Sequence, residues 1–171
     1  MKKSFFMAIP VLALLMGSAH AVLNLDNLPN LTAKDRESLD RVEGANEKNK
    51  SIIYRSYVHR AGADPDTVVR LLDEVRGFSE ENKASIYKSY IMGRANADPA
   101  IVAELLVEAR GFQNESYKEK MYTFYIWRFS DPAIAAGLLV EARGFSEENK
   151  VSIYRAYIWR FADPAIVAEL L

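Results

Sequence analysis

The chain has 171 residues, half of them apolar and 26% charged, a composition that excludes intrinsic disorder. With 22 basic residues against 23 acidic ones, it lacks the basic excess that a nucleic-acid-binding protein needs. Cysteine is absent, which excludes disulfides, thiol catalysis and thiolate metal sites, so stability must come from packing.

The first 21 residues have the pattern of a secretory signal peptide, and the Met-Lys-Lys start is typical of bacterial signals. Lys2 and Lys3 form the basic start, residues 5–16 are apolar, and small residues precede a cleavage position after Ala21. The apolar run is shorter than the roughly 20 residues that span a bilayer, so a membrane helix is the weaker interpretation. We therefore predict export to the periplasm or extracellular space, without stable membrane insertion after cleavage.

Residues 22–44 precede the helical-hairpin repeats. We predict an extended lead-in over 22–31 and a helix near 32–43. The segment 39–44 (LDRVEG) is similar to 72–77 (LDEVRG), which makes this helix half of a repeating unit. Its more polar outward face suits an N-terminal capping helix, because a terminal unit has no neighbour on one side.

From residue 45 to 171 one pattern returns every 32–34 residues. Each Asp-Pro pair except the last is followed by a glycine 13 residues after its aspartate, and this interval predicts a short helix. Aspartate is the N-cap, proline fits the first helical position, and glycine ends the helix in the left-handed conformation. The aspartates are Asp64, Asp98, Asp131 and Asp163, and the glycines are Gly77, Gly111 and Gly144.

A longer helix follows each glycine. It begins near a serine N-cap, as at Ser79 and Ser146, with two glutamates in its first turn. A Tyr-x-x-Tyr pair shares one face with Ile and Phe, so we interpret the tyrosines as core residues and not as a sugar-stacking ladder. The pairs are Tyr54/Tyr57, Tyr87/Tyr90, Tyr122/Tyr125 and Tyr154/Tyr157.

Stacked hairpins bury one another's apolar faces, which predicts an all-α, right-handed α-solenoid of about four helical hairpins. Thirteen residues after Asp163 the next glycine would stand at position 176, so we expect the last repeat to be cut short and the protein to be longer. The predicted helices lie near 32–43, 47–61, 65–76, 80–95, 99–110, 114–129, 132–143, 147–161 and 164–171.

A hairpin of 32–34 residues with a tyrosine-rich helix and an Asp-Pro pair between helices resembles the tetratricopeptide class of α-solenoids. The resemblance covers residues 32–171 and implies binding of a protein or peptide along a concave surface. The sequence has no metal-ligand spacing and no phosphate-binding loop, and we expect no cofactor. His59 is the one histidine after residue 21, which is weak support for catalysis, so we predict a binding module and not an enzyme.

One column of large side chains lies opposite the tyrosine face, among polar neighbours. Two interpretations stay open: packing against the next repeat, or a hot spot for a partner, where Trp and Arg are enriched. We predict that this surface binds a protein or peptide; the alternative is an envelope polysaccharide or glycan in a groove lined by aromatics. The candidate residues are His59, Met92, Trp127 and Trp159, with Arg60, Arg94, Arg128 and Arg160 beside them.

Overall fold

The structure is a computed structural model that describes residues 32–60, 63–93, 97–129 and 131–161. These residues form eight helices and no strand, and eight of the nine predicted helices are confirmed. The predicted signal peptide, the lead-in over 22–31 and the ninth helix lie outside the described residues. The helices are α1 (Ala33–Asp40), α2 (Glu47–His59), α3 (Pro65–Val75), α4 (Glu80–Met92), α5 (Pro99–Arg110), α6 (Glu115–Arg128), α7 (Pro132–Ala142) and α8 (Glu147–Phe161).

The short helices α3, α5 and α7 begin as the Asp-Pro pairs predict. Each aspartate has an extended backbone conformation, and its carboxylate accepts a hydrogen bond from an amide of the first turn. The amides of a first turn have no carbonyl partner within the helix. These bonds are 2.9 Å from the Thr67 N–H to Asp64, 2.8 Å from Ala100 to Asp98 and 2.9 Å from Ala133 to Asp131.

The helix ends differ from the prediction of left-handed glycines. Gly111 has φ −78°, and the positive-φ glycine of the described residues is Gly44, at 73°. The chain leaves each short helix through a tight turn, in which the Gly111 N–H bonds to Glu108 and the Phe112 N–H to Ala109. Because this turn keeps φ negative, a side chain at Gly111 would meet no backbone strain, although its Cβ would lie 3.2 Å from the Glu108 carbonyl.

The helices form two layers of unequal spacing. The long helices α2, α4, α6 and α8 pack directly against one another, whereas the short helices pack mainly against the long ones. This arrangement is a helical-hairpin solenoid of the loose tetratricopeptide-like class. The right-handedness of the solenoid stays a prediction.

The core lies between the two layers and confirms the predicted burial of the tyrosines. Seven of the eight repeating tyrosines are buried, and Tyr154 is partly buried. The phenylalanine that follows a short helix packs on the first tyrosine of its unit: Phe78 stacks on Tyr54 and Phe145 on Tyr122, with ring centroids 6.1 and 5.7 Å apart. In these two units, Arg-Gly-Phe therefore closes the hairpin onto its own tyrosine.

Candidate binding surface

In the first three tyrosine pairs, the first tyrosine donates a hydrogen bond to a glutamate near the end of the following short helix. We call these contacts the Tyr–Glu pairs. Each glutamate also forms an ion pair with a lysine or arginine. Its carboxylate therefore links the two helices of a unit, a role that could not be assigned from the sequence. The Tyr–Glu pairs are Tyr54–Glu74 at 2.6 Å, Tyr87–Glu108 at 2.9 Å and Tyr122–Glu141 at 2.6 Å, and the cations are Lys50, Lys83 and Arg110.

The Tyr–Glu pairs do not have the character of an acid–base centre. Burial, and then the neighbouring carboxylate, raises the pKa of Tyr54 and Tyr122 far above its usual value. Burial alone would raise the pKa of Glu141, but hydrogen bonds from Arg110 and Tyr122 outweigh it and lower that pKa. A general acid or base works best with a pKa near the ambient pH, so these shifts favour a structural role.

Replacing Tyr122 with phenylalanine should lower the free energy of unfolding by about 1 kcal/mol, the usual net contribution of one hydrogen bond. Glu141 keeps its ion pair with Arg110, so the remaining carboxylate is not left without a partner. The matched control is Tyr154→Phe, because the described residues offer the Tyr154 hydroxyl no hydrogen bond. Urea denaturation of both variants checks this, and equal losses would contradict a specific contribution from the Tyr122–Glu141 bond.

In the first two tyrosine pairs, the second tyrosine bonds to the N-cap residue of the next short helix. The Tyr90 hydroxyl accepts a 2.9 Å hydrogen bond from the Asp98 N–H, and Tyr57 accepts one of 3.3 Å from Asp64. Burial raises the pKa of these tyrosines as well. The two tyrosine columns thus have different partners, one on the short helix and one at its N-cap.

Alkaline unfolding should follow from the raised tyrosine pKa values. Tyrosines in the unfolded chain ionise near pH 10, whereas burial raises the folded-state pKa. Their contribution is therefore complete below about pH 10 and is lost as the pH rises from there, because the unfolded state releases its protons first. Tyrosinate absorbance and helical circular dichroism should change together; ionisation before loss of helix would contradict this. The residues are Tyr54, Tyr57, Tyr87, Tyr90, Tyr122 and Tyr125.

The first glutamate of a long helix reaches the N-terminus of the next long helix. Glu47 accepts hydrogen bonds from the Ser79 N–H and hydroxyl at 2.8 and 2.6 Å, and Glu115 accepts both from Ser146 at 2.6 Å. Ser79 stands at the predicted N-cap position of α4, but its hydroxyl accepts no hydrogen bond from a backbone amide of that helix and instead accepts one of 3.1 Å from the Asn82 side chain. The hydrogen bond from Ser79 chiefly lowers the pKa of Glu47, which fits a carboxylate held in its charged form.

The four large side chains that the sequence aligned lie together on the exposed face of the long helices. We call them the large-residue column. Trp127 and Trp159 are 51% and 80% exposed, and Met92 is 37% exposed. The two indoles stack with centroids 5.6 Å apart and planes at 9°, and His59 Nδ1 lies 3.4 Å from the Ser89 carbonyl on α4. The column therefore contacts neighbouring units while keeping a large exposed surface.

The four arginines predicted beside this column do not form one set. Arg60 forms an ion pair with buried Asp35 of α1 and lies over the Tyr57 ring, 5.0 Å from its centroid, so it has a structural task. Arg128 and Arg160 are exposed at the ends of α6 and α8. The last of the four, at position 94, lies outside the described residues. The buried partner of Arg60 was not foreseen, because it belongs to α1.

A second column of cations escaped the sequence analysis. Arg55, Lys88 and Arg155 follow the first tyrosine of their units directly and are exposed. Each stands four residues before a member of the large-residue column, so the two columns share one helix face. We call these three residues the cation column. The signal was present in the repeat alignment, where α6 alone replaces the cation, with Thr123.

Among the described residues, no group of three or more metal-binding side chains comes together. In the same part of the chain, no helix combines the length and apolar character needed to cross a bilayer. Comparison with protein-family models, curated proteins and solved structures found no match. The chemistry of the exposed long-helix face is therefore the basis for a functional proposal.

Proposed function

We propose that the protein is an exported binding module that holds a protein or peptide partner on the face of its long helices. The observation that carries this proposal is the stacked Trp127–Trp159 pair, which leaves much of two indoles in water. Exposed apolar surface of this size needs a reason, and tryptophan is enriched among residues that dominate binding energy at protein interfaces. Exposed large side chains recur on successive long helices, which favours a partner that lies across several units.

The groups beside the indoles favour a peptide over a neutral glycan. Hydroxyl groups of a sugar need acceptors and donors such as carboxylates and amides next to the aromatic ring. Here the neighbours on the exposed face are cations, with Arg155 one turn before Trp159 and Arg128 directly after Trp127. An apolar strip with a cationic rim suits a peptide with apolar and acidic side chains, which makes glycan binding the second candidate.

A peptide-display selection tests the proposal directly. The immobilised chain without residues 1–21 should enrich peptides from a random library, and the double variant Trp127→Ala/Trp159→Ala should lose that enrichment. The matched control is Val107→Ala/Val140→Ala, because these valines are also exposed but lie on short helices. Failure of the parent chain to enrich any peptide, or equal enrichment by the tryptophan double variant, would refute the proposed site.

Export is tested by the N-terminus of the secreted protein. Expression of the whole chain in a bacterium should yield material outside the inner membrane that begins at Val22, because cleavage after Ala21 fits the small-residue rule. Mass spectrometry of that material identifies the terminus. Protein that stays in the cytoplasm and begins at Met1 would contradict export. The binding proposal would then have to be tested with intracellular partners.

A further inference from the structure

We infer that the long-helix face takes an acidic peptide segment that runs across neighbouring units. This inference rests on the proposed function and adds the charge of the partner. The C-terminal parts of the four long helices contain no aspartate or glutamate and seven lysine or arginine residues, although the whole chain has a net charge of −1. These parts are residues 52–60, 85–93, 120–129 and 152–161.

The cation column keeps its charge available on this face. No carboxylate of the described residues pairs with Arg55, Lys88 or Arg155. Arg55 Nη1 lies 3.4 Å from the Ser85 hydroxyl of α4, and the Lys88 ammonium lies 4.6 Å from the ring centroid of Phe124 on α6. Both contacts hold the side chain toward the next long helix without neutralising it, and a partner can therefore meet a pre-oriented cation.

The acidic residues nearest in sequence, except Glu119, are engaged away from the cation column. The first-turn glutamates Glu47 and Glu115 bind the next long helix, at the opposite end from the column. Glu119 lies one turn before Thr123, the residue at the cation-column position of α6, and accepts a 3.0 Å hydrogen bond from its hydroxyl. The carboxylates of the Tyr–Glu pairs belong to the short helices. An anion from outside is therefore the complement that Arg55, Lys88 and Arg155 lack among the described residues, and opposite charges at an interface guide both encounter and register.

The spacing of the units determines the length and the residue pattern expected of such a peptide. Packed helices lie about 8–10 Å apart, and an extended chain advances about 3.3 Å per residue. One unit therefore corresponds to about three peptide residues, and the four long helices to about twelve. The cation and large-residue columns run side by side, so each set of three should contain an acidic residue near the cation and an apolar residue near the column.

The test uses a random library of twelve-residue peptides, selected on the chain without residues 1–21. Bound peptides should be enriched in Asp and Glu over Lys and Arg. A selected peptide should lose on the order of tenfold in affinity when its acids become amides, since exposed ion pairs are individually weak and here about three act together. The variant Arg55→Gln/Lys88→Gln/Arg155→Gln should show a similar loss, and added salt should weaken binding by the parent chain.

The control is Lys34→Gln/Arg41→Gln/Arg70→Gln, which removes the same charge from exposed positions on or next to α1 and α3 and leaves the long helices unchanged. It should bind within about twofold of the parent, because surface charges farther than a Debye length are largely screened. Enrichment without acidic bias, still dependent on Trp127 and Trp159, would overturn the acidic inference and leave peptide binding standing. No enrichment at all would overturn both. Binding of polygalacturonate but of no acidic peptide would overturn the inference of peptide binding and assign the face to an anionic polysaccharide.

Discussion

Replacing Gly93 with alanine is expected to lower the free energy of unfolding by about 1–3 kcal/mol, the usual cost of overpacking. An added Cβ would lie 3.0 Å from the Ser89 carbonyl oxygen, 3.1 Å from that of Val58 and 3.2 Å from the His59 Cα. All three are backbone atoms, so no rotamer change relieves the contact. The C-terminal end of α4 would have to move away from α2, which disturbs the most tightly packed layer of the fold.

The matched control for Gly93→Ala is the same substitution at Gly137. This glycine is exposed inside α7, and an added Cβ would meet no atom within 4 Å. Alanine there should stabilise the protein by about 0.5–1 kcal/mol, because glycine is unfavourable in a helix interior. Urea denaturation should give opposite signs for the two variants. A neutral Gly93→Ala would mean that α2 and α4 are not held as closely as their backbone distances indicate.

The starts of the helices could be predicted from sequence because the signals are local. Asp64, Asp98 and Asp131 bond to amides within three residues, so the spacing of residue types is enough to identify them. The helix ends were less predictable. A glycine permits the left-handed conformation but does not require it, and at Gly111 a tight turn with negative φ satisfies the carbonyls instead.

Contacts between units could not be predicted from one hairpin. The bond between Glu47 and Ser79 joins residues 32 apart, so its recognition needs the register between neighbouring long helices. The period does place such residues in adjacent units, but it leaves open whether a first-turn glutamate serves its own helix or the next one. The same applies to Gly93. In the repeat alignment it merely replaces the arginine found at Arg60 and Arg128, and its close approach to α2 is a property of the packed layer.

The candidate surface was predictable in position but not in composition. The alignment found Trp127 and Trp159, because a repeated large residue among polar neighbours is visible in sequence. Exposure bears on the choice between packing and binding, and it depends on helix spacing, which no residue type reveals. The arginines beside the column looked equivalent for the same reason. Arg60 pairs with Asp35, a residue of α1 that lies outside the regular repeat, and no equivalent of α1 precedes Arg128 in the repeat.

Replacing Arg60 with methionine is therefore expected to loosen α1 by about 2–3 kcal/mol. Asp35 keeps only 7% of its side chain exposed, and removing its cation leaves a buried charge without its ion-pair partner. Breaking a fully buried ion pair costs about 3–5 kcal/mol. The loss expected here is smaller, about 2–3 kcal/mol, because the Arg60 side chain is 41% exposed and solvent screens its charge. Methionine keeps much of the packing on the Tyr57 ring, so the loss reports on charge.

Amide hydrogen exchange provides the measurement for Arg60→Met, since α1 is a terminal helix that can open while the rest of the stack stays folded. Exchange should accelerate at Leu39 and its helical neighbours and stay unchanged in α4. The corresponding variant Arg128→Met should leave exchange in α1 unaffected. Asp35→Asn added to Arg60→Met should restore part of the protection, because an amide has no charge to bury. Unchanged exchange in α1 after Arg60→Met would show that Arg60 is not needed there and would return it to the candidates for partner binding.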